Sequence, residues 1–267
     1  MDASYGFRFD QVNTVVRPME VRTAWGEWVA CAVRPEYALG RLRFNRGGVQ
    51  QMRFYLRRSG AYYVEDGTVL LCERLSSGHD SAVSLSRGEV AHVTAGTVHS
   101  IGGLEPSVVY CFSDGTADDA RYVETEAEAL HRFDASRLAA VQRSDPEGTV
   151  DRRTKYWGTI ETIISRDFAG KRIALAAGGQ SSLEFHIGKR ETYFIHSGAV
   201  KVGLRIGRGE NRSVLLREGD CFDVQPGLVH MRIGLEKSVI IEVSTQDTDA
   251  DSFIVEDGRT YRHVEVV

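Results

Sequence analysis

Between positions 184 and 230, the residue types and their spacing suit binding and activation of a small molecule. Glu184 and His186 are separated by one aromatic residue, Phe185, so on a β-strand the two polar side chains share one face while Phe185 takes the other. A turn at Gly188 leads to Glu191, which opens the apolar run TYFIHSGAV, and the segment GDCFDVQPGLVH then runs from Gly219 through Pro226 and Gly227 to His230. Two imidazoles and two carboxylates from adjacent strands could converge inside a barrel as an N2O2 donor set. That set suits Mn, Fe, Co, Ni or Zn rather than Ca or Mg, so one divalent transition metal per chain is expected. Because His186, His230 and one carboxylate already make a 2-His-1-carboxylate set, Glu184 is either a fourth ligand or a base held beside the metal. Arg232 lies two residues after His230 and shares its strand face, and Tyr193 shares the parity of Glu191 and should face the cavity. Arg190, Arg205 and Arg208 are weaker candidates, since Lys and Arg in strand turns are mostly solvated.

These positions need a scaffold of short strands, and the rest of the chain supplies one. Runs such as SVIIEVS, KVGLRI and AYYVEDGTVLL are β-branched or aromatic, of strand length, and bounded by glycine turns. The segment from Asp118 to Val141 alone reads as helical, being rich in Ala, Glu and Leu. The decisive feature is a repeat. GGVQQMRFYLRRSGAYYVEDGTV from Gly47 aligns with GGQSSLEFHIGKRETYFIHSGAV from Gly178, an offset of 178 − 47 = 131. The register continues through Gly67 and Gly198, Gly88 and Gly219, and His99 and His230, while Trp25-Gly26 meets Trp157-Gly158 with one residue of slippage. The expected architecture is therefore all-β: two tandem barrels at 1–123 and 157–267, joined by a partly helical linker at 124–156.

The first copy has lost the donor set. Arg53 stands where the second copy has Glu184, Tyr55 where it has His186 and Gly60 where it has Glu191, leaving only His99. An Arg beside one imidazole adds repulsion where a dication needs compensation. The favoured reading is a structural barrel; the sharper one is an anion or sugar pocket built from Arg53, Tyr55 and His99.

Composition narrows the partners. With 33 basic and 37 acidic side chains in 267 residues the net charge is −4, which leaves no basic surplus for nucleic acid or an anionic membrane. No run approaches the roughly 18 apolar residues of a membrane span. The opening MDASYGFRFDQ lacks a basic segment followed by an apolar one. Cys31, Cys72, Cys111 and Cys221 lie far apart, as free thiols do in a reducing cytoplasm, the expected location.

The second copy resembles the cupin superfamily, whose first motif runs Gly, His-x-His, Glu, Gly and whose second runs Gly, Pro-x-Gly, His. Gly179, Glu184-x-His186, Glu191 and Gly198 match the first, with Glu184 replacing the leading histidine; Gly219, Pro226, Gly227 and His230 match the second. The fit is closest to the mannose-6-phosphate isomerase-like branch, supported by Trp157-Gly158, Lys189, Arg232 and the ending DADSFIVEDGR. The resemblance implies the ligands Glu184, His186, Glu191 and His230. It also implies a metal-dependent isomerase or epimerase acting on a sugar or sugar derivative through an enediol. Glu184, Lys189, Arg232 and Tyr193 are then the candidate catalytic residues. An Fe(II) oxygenase or oxidase and a non-catalytic small-molecule binder are the alternatives. The outer faces of such barrels are commonly covered by a partner, so a homodimer is expected.

Overall fold

The computed structural model describes residues 6–76, 79–115, 119–133 and 151–265. Strands dominate, and the chain divides into two compact units, the first Met19–Val150 and the second Asp151–Val267 together with Met1–Pro18. Each unit is a pair of antiparallel sheets. In the first unit, six strands run in the order Glu20–Thr23, Gly26–Val33, Tyr37–Phe44, Ser107–Asp114, Gly60–Asp66, Val90–Val93. Five more, Ala120–Tyr122, Arg53–Tyr55, His99–Gly103, Thr68–Ser76 and His79–Ser86, form the facing sheet.

The second unit repeats this plan. Its seven-stranded sheet has Glu191–Ser197 between Cys221–Val224 and Ser238–Thr245, with Phe168–Leu175, Gly158–Ser165 and Asp151–Lys155 beyond, and Val15–Val16 added at the far edge against Cys221–Val224. Its five-stranded sheet runs Glu210–Arg217, Ala199–Ile206, Val229–Gly234, Leu183–Phe185, Phe253–Glu256. Ile173, Tyr193, Ile195, Phe222 and Ile240 from one sheet meet Val200, Val202, Leu204 and Leu216 from the other in a closed apolar core. These alternate positions of the β-branched and aromatic runs must face inward to be removed from water.

The repeat read from sequence is exact at the level of strands. Gly60–Asp66 becomes Glu191–Ser197, His79–Ser86 becomes Glu210–Arg217, and Ser107–Asp114 becomes Ser238–Thr245, all at an offset of 131. The one-residue slippage at the Trp-Gly pair has a location: the loop before Tyr37 holds three residues, 34–36, and its counterpart before Phe168 holds two, 166–167. Gly67 and Gly198 close matching turns at φ +79° and +82°, and in each a Cβ would strike a serine that opens a neighbouring strand, Ser107 or Ser238.

The expected helix is shorter than its composition suggests. It spans Glu126–Arg132, capped by Thr125 and Glu128 in a reciprocal capping box. Ala120–Tyr122, read as helical, is instead a strand, because its backbone completes the edge of Arg53–Tyr55. Residue 118 and the stretch 134–141 of that reading lie outside the described residues, as does most of the expected linker, 134–150. Asp151–Lys155, also within 124–156, pairs with Gly158–Ser165. The four cysteines are free thiols.

Candidate metal centre and its cavity

The second unit opens into a cavity of about 570 Å³ whose floor carries Glu184, His186, Glu191, Lys189, Arg232 and Glu242. Strand pairing assembles the floor. Glu184 sits directly opposite His230 across the Leu183–Phe185 and Val229–Gly234 strands. Glu191 enters from the other sheet at the first position of its strand. The turn before it is pinned by Asp251, whose carboxylate accepts from the backbone N–H groups of Ile187 (2.7 Å), Gly188 (3.0 Å) and Lys189 (2.8 Å).

The tautomers of both histidines follow from their partners. His186 Nδ1 lies 2.7 Å from the Asp251 carbonyl oxygen and His230 Nδ1 lies 2.9 Å from that of Leu228. A carbonyl can only accept, so each Nδ1 carries a proton, and each ring when neutral presents a bare lone pair at Nε2. Both lone pairs point at the same carboxylate oxygen: Glu191 Oε1 is 2.7 Å from His186 Nε2 and 3.8 Å from His230 Nε2. Glu191 and His230 are fully buried, and neither Glu191 oxygen nor His230 Nε2 has a hydrogen-bond partner among the described residues. These three acceptors converge with only the Lys189 ammonium beside them, 3.3 Å from Glu191 Oε1, and a cation between them or a proton on His186 would compensate the rest. Burial disfavours the charged form of His186, but Glu191 facing it raises the imidazole pKa above its usual value. For His230 burial prevails and the pKa falls.

Glu184 is differently placed. Its Oε1 accepts from Arg232 Nη2 at 2.6 Å and its Oε2 from Ser252 Oγ at 3.0 Å, so both oxygens are satisfied. Burial raises its pKa, yet Arg232 and His230 outweigh that and hold it below the usual carboxylate range. Glu184, His186 and His230 each offer a donor atom within 4.8 Å of the others, a grouping able to hold a metal ion.

Lys189 cannot serve as a base. Its buried ammonium lies 3.3 Å from Glu191, 2.9 Å from Glu242 and 2.8 Å from Asp247, and although burial works against the charge, the three carboxylates raise its pKa well above normal. Arg232 bridges Glu184 and Glu242, the latter at 3.2 Å, and lies over the Tyr193 ring with its guanidinium carbon 5.6 Å from the centroid. Tyr193 faces the barrel interior as its parity requires, but it is fully buried in the apolar core and does not line the cavity. Arg190 pairs with Asp223 and Arg205 with Glu256; neither they nor Arg208 line the cavity.

Sequence reading missed Glu242, Asp247, Lys171, Asp251 and Ser252. Glu242 had a usable signal: a lone carboxylate in the apolar run SVIIEVS, 1% exposed, has to meet a buried cation. The buried cluster holds four carboxylates, Glu184, Glu191, Glu242 and Asp247, against three cations, Lys171, Lys189 and Arg232. With both imidazoles neutral one negative charge is left over, so the donor set and the charge both fit a divalent transition metal.

No family model matches the chain, and no curated protein does. Solved structures do. An oxalate decarboxylase of Bacillus subtilis, solved at pH 4.6, aligns with a TM-score of 0.67 at 13% identity over 92% of this chain and 78% of its own. The formate complex of Lactobacillus farciminis oxalate decarboxylase aligns at 0.68 and 13%, covering 95% and 90%. Identities this low speak for the fold alone, and that fold, in agreement with the motif resemblance of the second copy, is a bicupin, two tandem cupin barrels.

Proposed function

We propose that the chain is a metal-dependent enzyme of the cupin type that interconverts a sugar or sugar derivative by proton transfer through an enediol. In this reading His186, Glu191 and His230 hold a divalent transition metal and Glu184 moves the proton. One observation carries the assignment: His230 Nε2 and both Glu191 oxygens are buried without a hydrogen-bond partner among the described residues, the Lys189 ammonium standing 3.3 Å from Glu191, whereas Glu184 has both oxygens satisfied. A metal ion would satisfy His230 Nε2 and the remaining capacity of Glu191; Glu184 does not need one. A metal bound there would polarise a substrate carbonyl oxygen.

Glu184 has the properties the proton transfer needs. It lines the cavity, with 16% of its side chain exposed against 1% for Glu191 and Glu242, and Arg232 keeps it ionised at neutral pH. A carboxylate has about four acceptor positions, so the bonds to Arg232 and Ser252 leave room for a substrate proton. Lys189 stays an ammonium and fixes the direction of Glu191. Around the floor the cavity wall mixes polar Ser181, Ser182, Ser252, Arg153 and Arg259 with apolar Trp157, Ile160, Ile173 and Ile254. Such a lining offers donors and acceptors to a polyhydroxylated substrate, and the volume exceeds what a two-carbon acid fills.

The test is to incubate the metal-loaded protein in D2O with aldoses, ketoses and their phosphates, following deuterium at the carbon next to the carbonyl by NMR. Exchange that depends on Glu184 supports the enediol reading. The runner-up, decarboxylation or oxygen chemistry, draws on the fold shared with oxalate decarboxylases. O2 uptake, or CO2 release from a small dicarboxylate, with no deuterium exchange on any sugar, would replace the proposal with it.

A further inference from the structure

The first barrel contains a cavity of about 610 Å³ at the position equivalent to the metal centre, and its electrostatics are inverted. At the offset of 131, three carboxylates lining the cavity of the second barrel, Glu184, Glu191 and Glu242, become Arg53, Gly60 and Cys111, while Lys189 becomes Arg58. All three acids are gone and Arg53 puts a cation where Glu184 stood, while Lys171 and Arg232 give way to Gly40 and Ile101. Arg53 lies at the floor, 7% exposed. Its acceptors are Tyr55 Oη (2.8 Å), Tyr62 Oη (3.2 Å), Gln50 Oε1 and the Gln51 carbonyl oxygen (3.4 Å), all neutral. Among the described residues no carboxylate pairs with it. Arg58 stacks on the Tyr55 ring, its guanidinium carbon 3.8 Å from the centroid, so two guanidinium groups flank one phenol in the cavity. The buried acid Asp119 is turned to the backbone N–H groups of Arg57 and Arg58 instead.

Hydrogen-bond directions show which groups remain available. His99 Nδ1 donates to the Thr97 carbonyl oxygen at 2.9 Å, so its Nε2 accepts from Tyr62 Oη–H at 3.0 Å, and Tyr62 in turn accepts from Arg53. The imidazole corresponding to His230 is thereby committed to a phenol. Burial, reinforced by Arg53, lowers the His99 pKa to about 4, so it adds no charge at neutral pH. Tyr55 accepts from Arg53 Nε and keeps its own O–H to give, and the guanidinium's roughly five N–H donors outnumber its four acceptors. The wall of the same cavity is largely apolar, with Trp28, Ala30, Val33 and Leu42, and carries one carboxylate, Glu126. A buried cation with only neutral partners is costly to keep, and an anion with an apolar body is the ligand that compensates both features.

We propose that the first barrel binds a small organic monocarboxylate, its carboxylate held by Arg53, Arg58 and the Tyr55 hydroxyl and its apolar body laid against Trp28, Val33 and Leu42. Arginine's planar fork matches a carboxylate in two parallel bonds, and the apolar wall selects a hydrocarbon tail over an inorganic anion. The site is independent of the metal centre.

Trp25 and Trp28 line this cavity, so tryptophan fluorescence and calorimetry of the full chain report binding directly. The probes are hexanoate, benzoate, acetate, benzyl alcohol and inorganic phosphate. Hexanoate or benzoate should bind once per chain, at least about tenfold more tightly than acetate because of the buried hydrocarbon, and benzyl alcohol should fail. Arg53→Gln and Arg58→Gln should each weaken binding by about tenfold or more, while His230→Ala should leave it unchanged. If Arg53→Gln does not fold, Arg58→Gln and Tyr55→Phe decide the question. Absence of saturable carboxylate binding, phosphate binding as tightly as hexanoate, indifference to the arginine variants, or loss in His230→Ala would each overturn the proposal.

Discussion

Replacing Glu184 by Gln separates the two roles open to this residue, and the structure sets the size of the effect. The amide oxygen can still accept from Arg232 Nη2, and the Ser252 hydroxyl can rotate to accept from the new N–H, so both contacts survive. Arg232 keeps its second carboxylate, Glu242. What is lost is one charge from a charge-assisted pair, about 1 kcal/mol of stability, so the variant should fold. His186, Glu191 and His230 are untouched, so the metal should stay. An amide cannot take up a carbon-bound proton, and the rate should fall by about 10²–10⁴, equivalent to about 3–5 kcal/mol in the barrier. The assay is kcat on the turnover substrate, with metal per chain measured on the same sample. In the wild type the acid limb of the pH–rate profile should lie below the ordinary carboxylate range, because Arg232 holds Glu184 ionised against its burial. A variant that loses its metal would show Glu184 to be a ligand. One that keeps both metal and most of its activity would remove it from the proton transfer.

Three further outcomes follow from the same cluster. Lys189→Met leaves Glu191, Glu242 and Asp247 without the ammonium that holds them together, and should lower the unfolding free energy by about 3–5 kcal/mol in urea titrations of metal-free protein. Asp247 has its pKa lowered to about 2, since Lys189 and Lys171 outweigh the effect of burial. A depressed carboxylate pKa stabilises above the unfolded value, so this contribution should be intact above about pH 4 and be lost as the pH falls toward 2. Asp247→Asn should flatten that part of the acid-unfolding curve. Asp251→Ala removes the acceptor of three turn N–H groups but keeps the backbone carbonyl bound to His186, so metal affinity should fall by about 10–100-fold rather than vanish.

The sequence made some features legible because they depend on periodicity. Glycine turns and alternating apolar residues place each strand, and a constant offset carried from Gly47 to Ser113 could only reflect a duplicated unit. The parity of Glu184 and His186 likewise follows from strand geometry. Contacts made through tertiary structure left weaker traces. Lys189 reads from sequence as a candidate catalytic residue, and only the arrival of Glu242 and Asp247 from a distant strand and loop shows it held as an ammonium. Asp251 sits in an unremarkable acidic stretch, DTDAD, and nothing local indicates that it ties down the turn leading to Glu191. Ala120–Tyr122 was hidden by a helix-favouring neighbourhood, since edge pairing with Arg53–Tyr55 overrides local propensity.

Metal per chain, measured by mass spectrometry on wild-type protein, His230→Ala and His99→Ala after chelation and reloading, tests the central claim most directly. One divalent transition metal in the wild type, the same in His99→Ala and none in a folded His230→Ala is the predicted result. His99 Nε2 is already committed to Tyr62 beside Arg53, whereas His230 Nε2 has no partner. A wild type that takes up no metal, or a His99→Ala protein that loses half of it, would contradict a single metal centre in the second barrel.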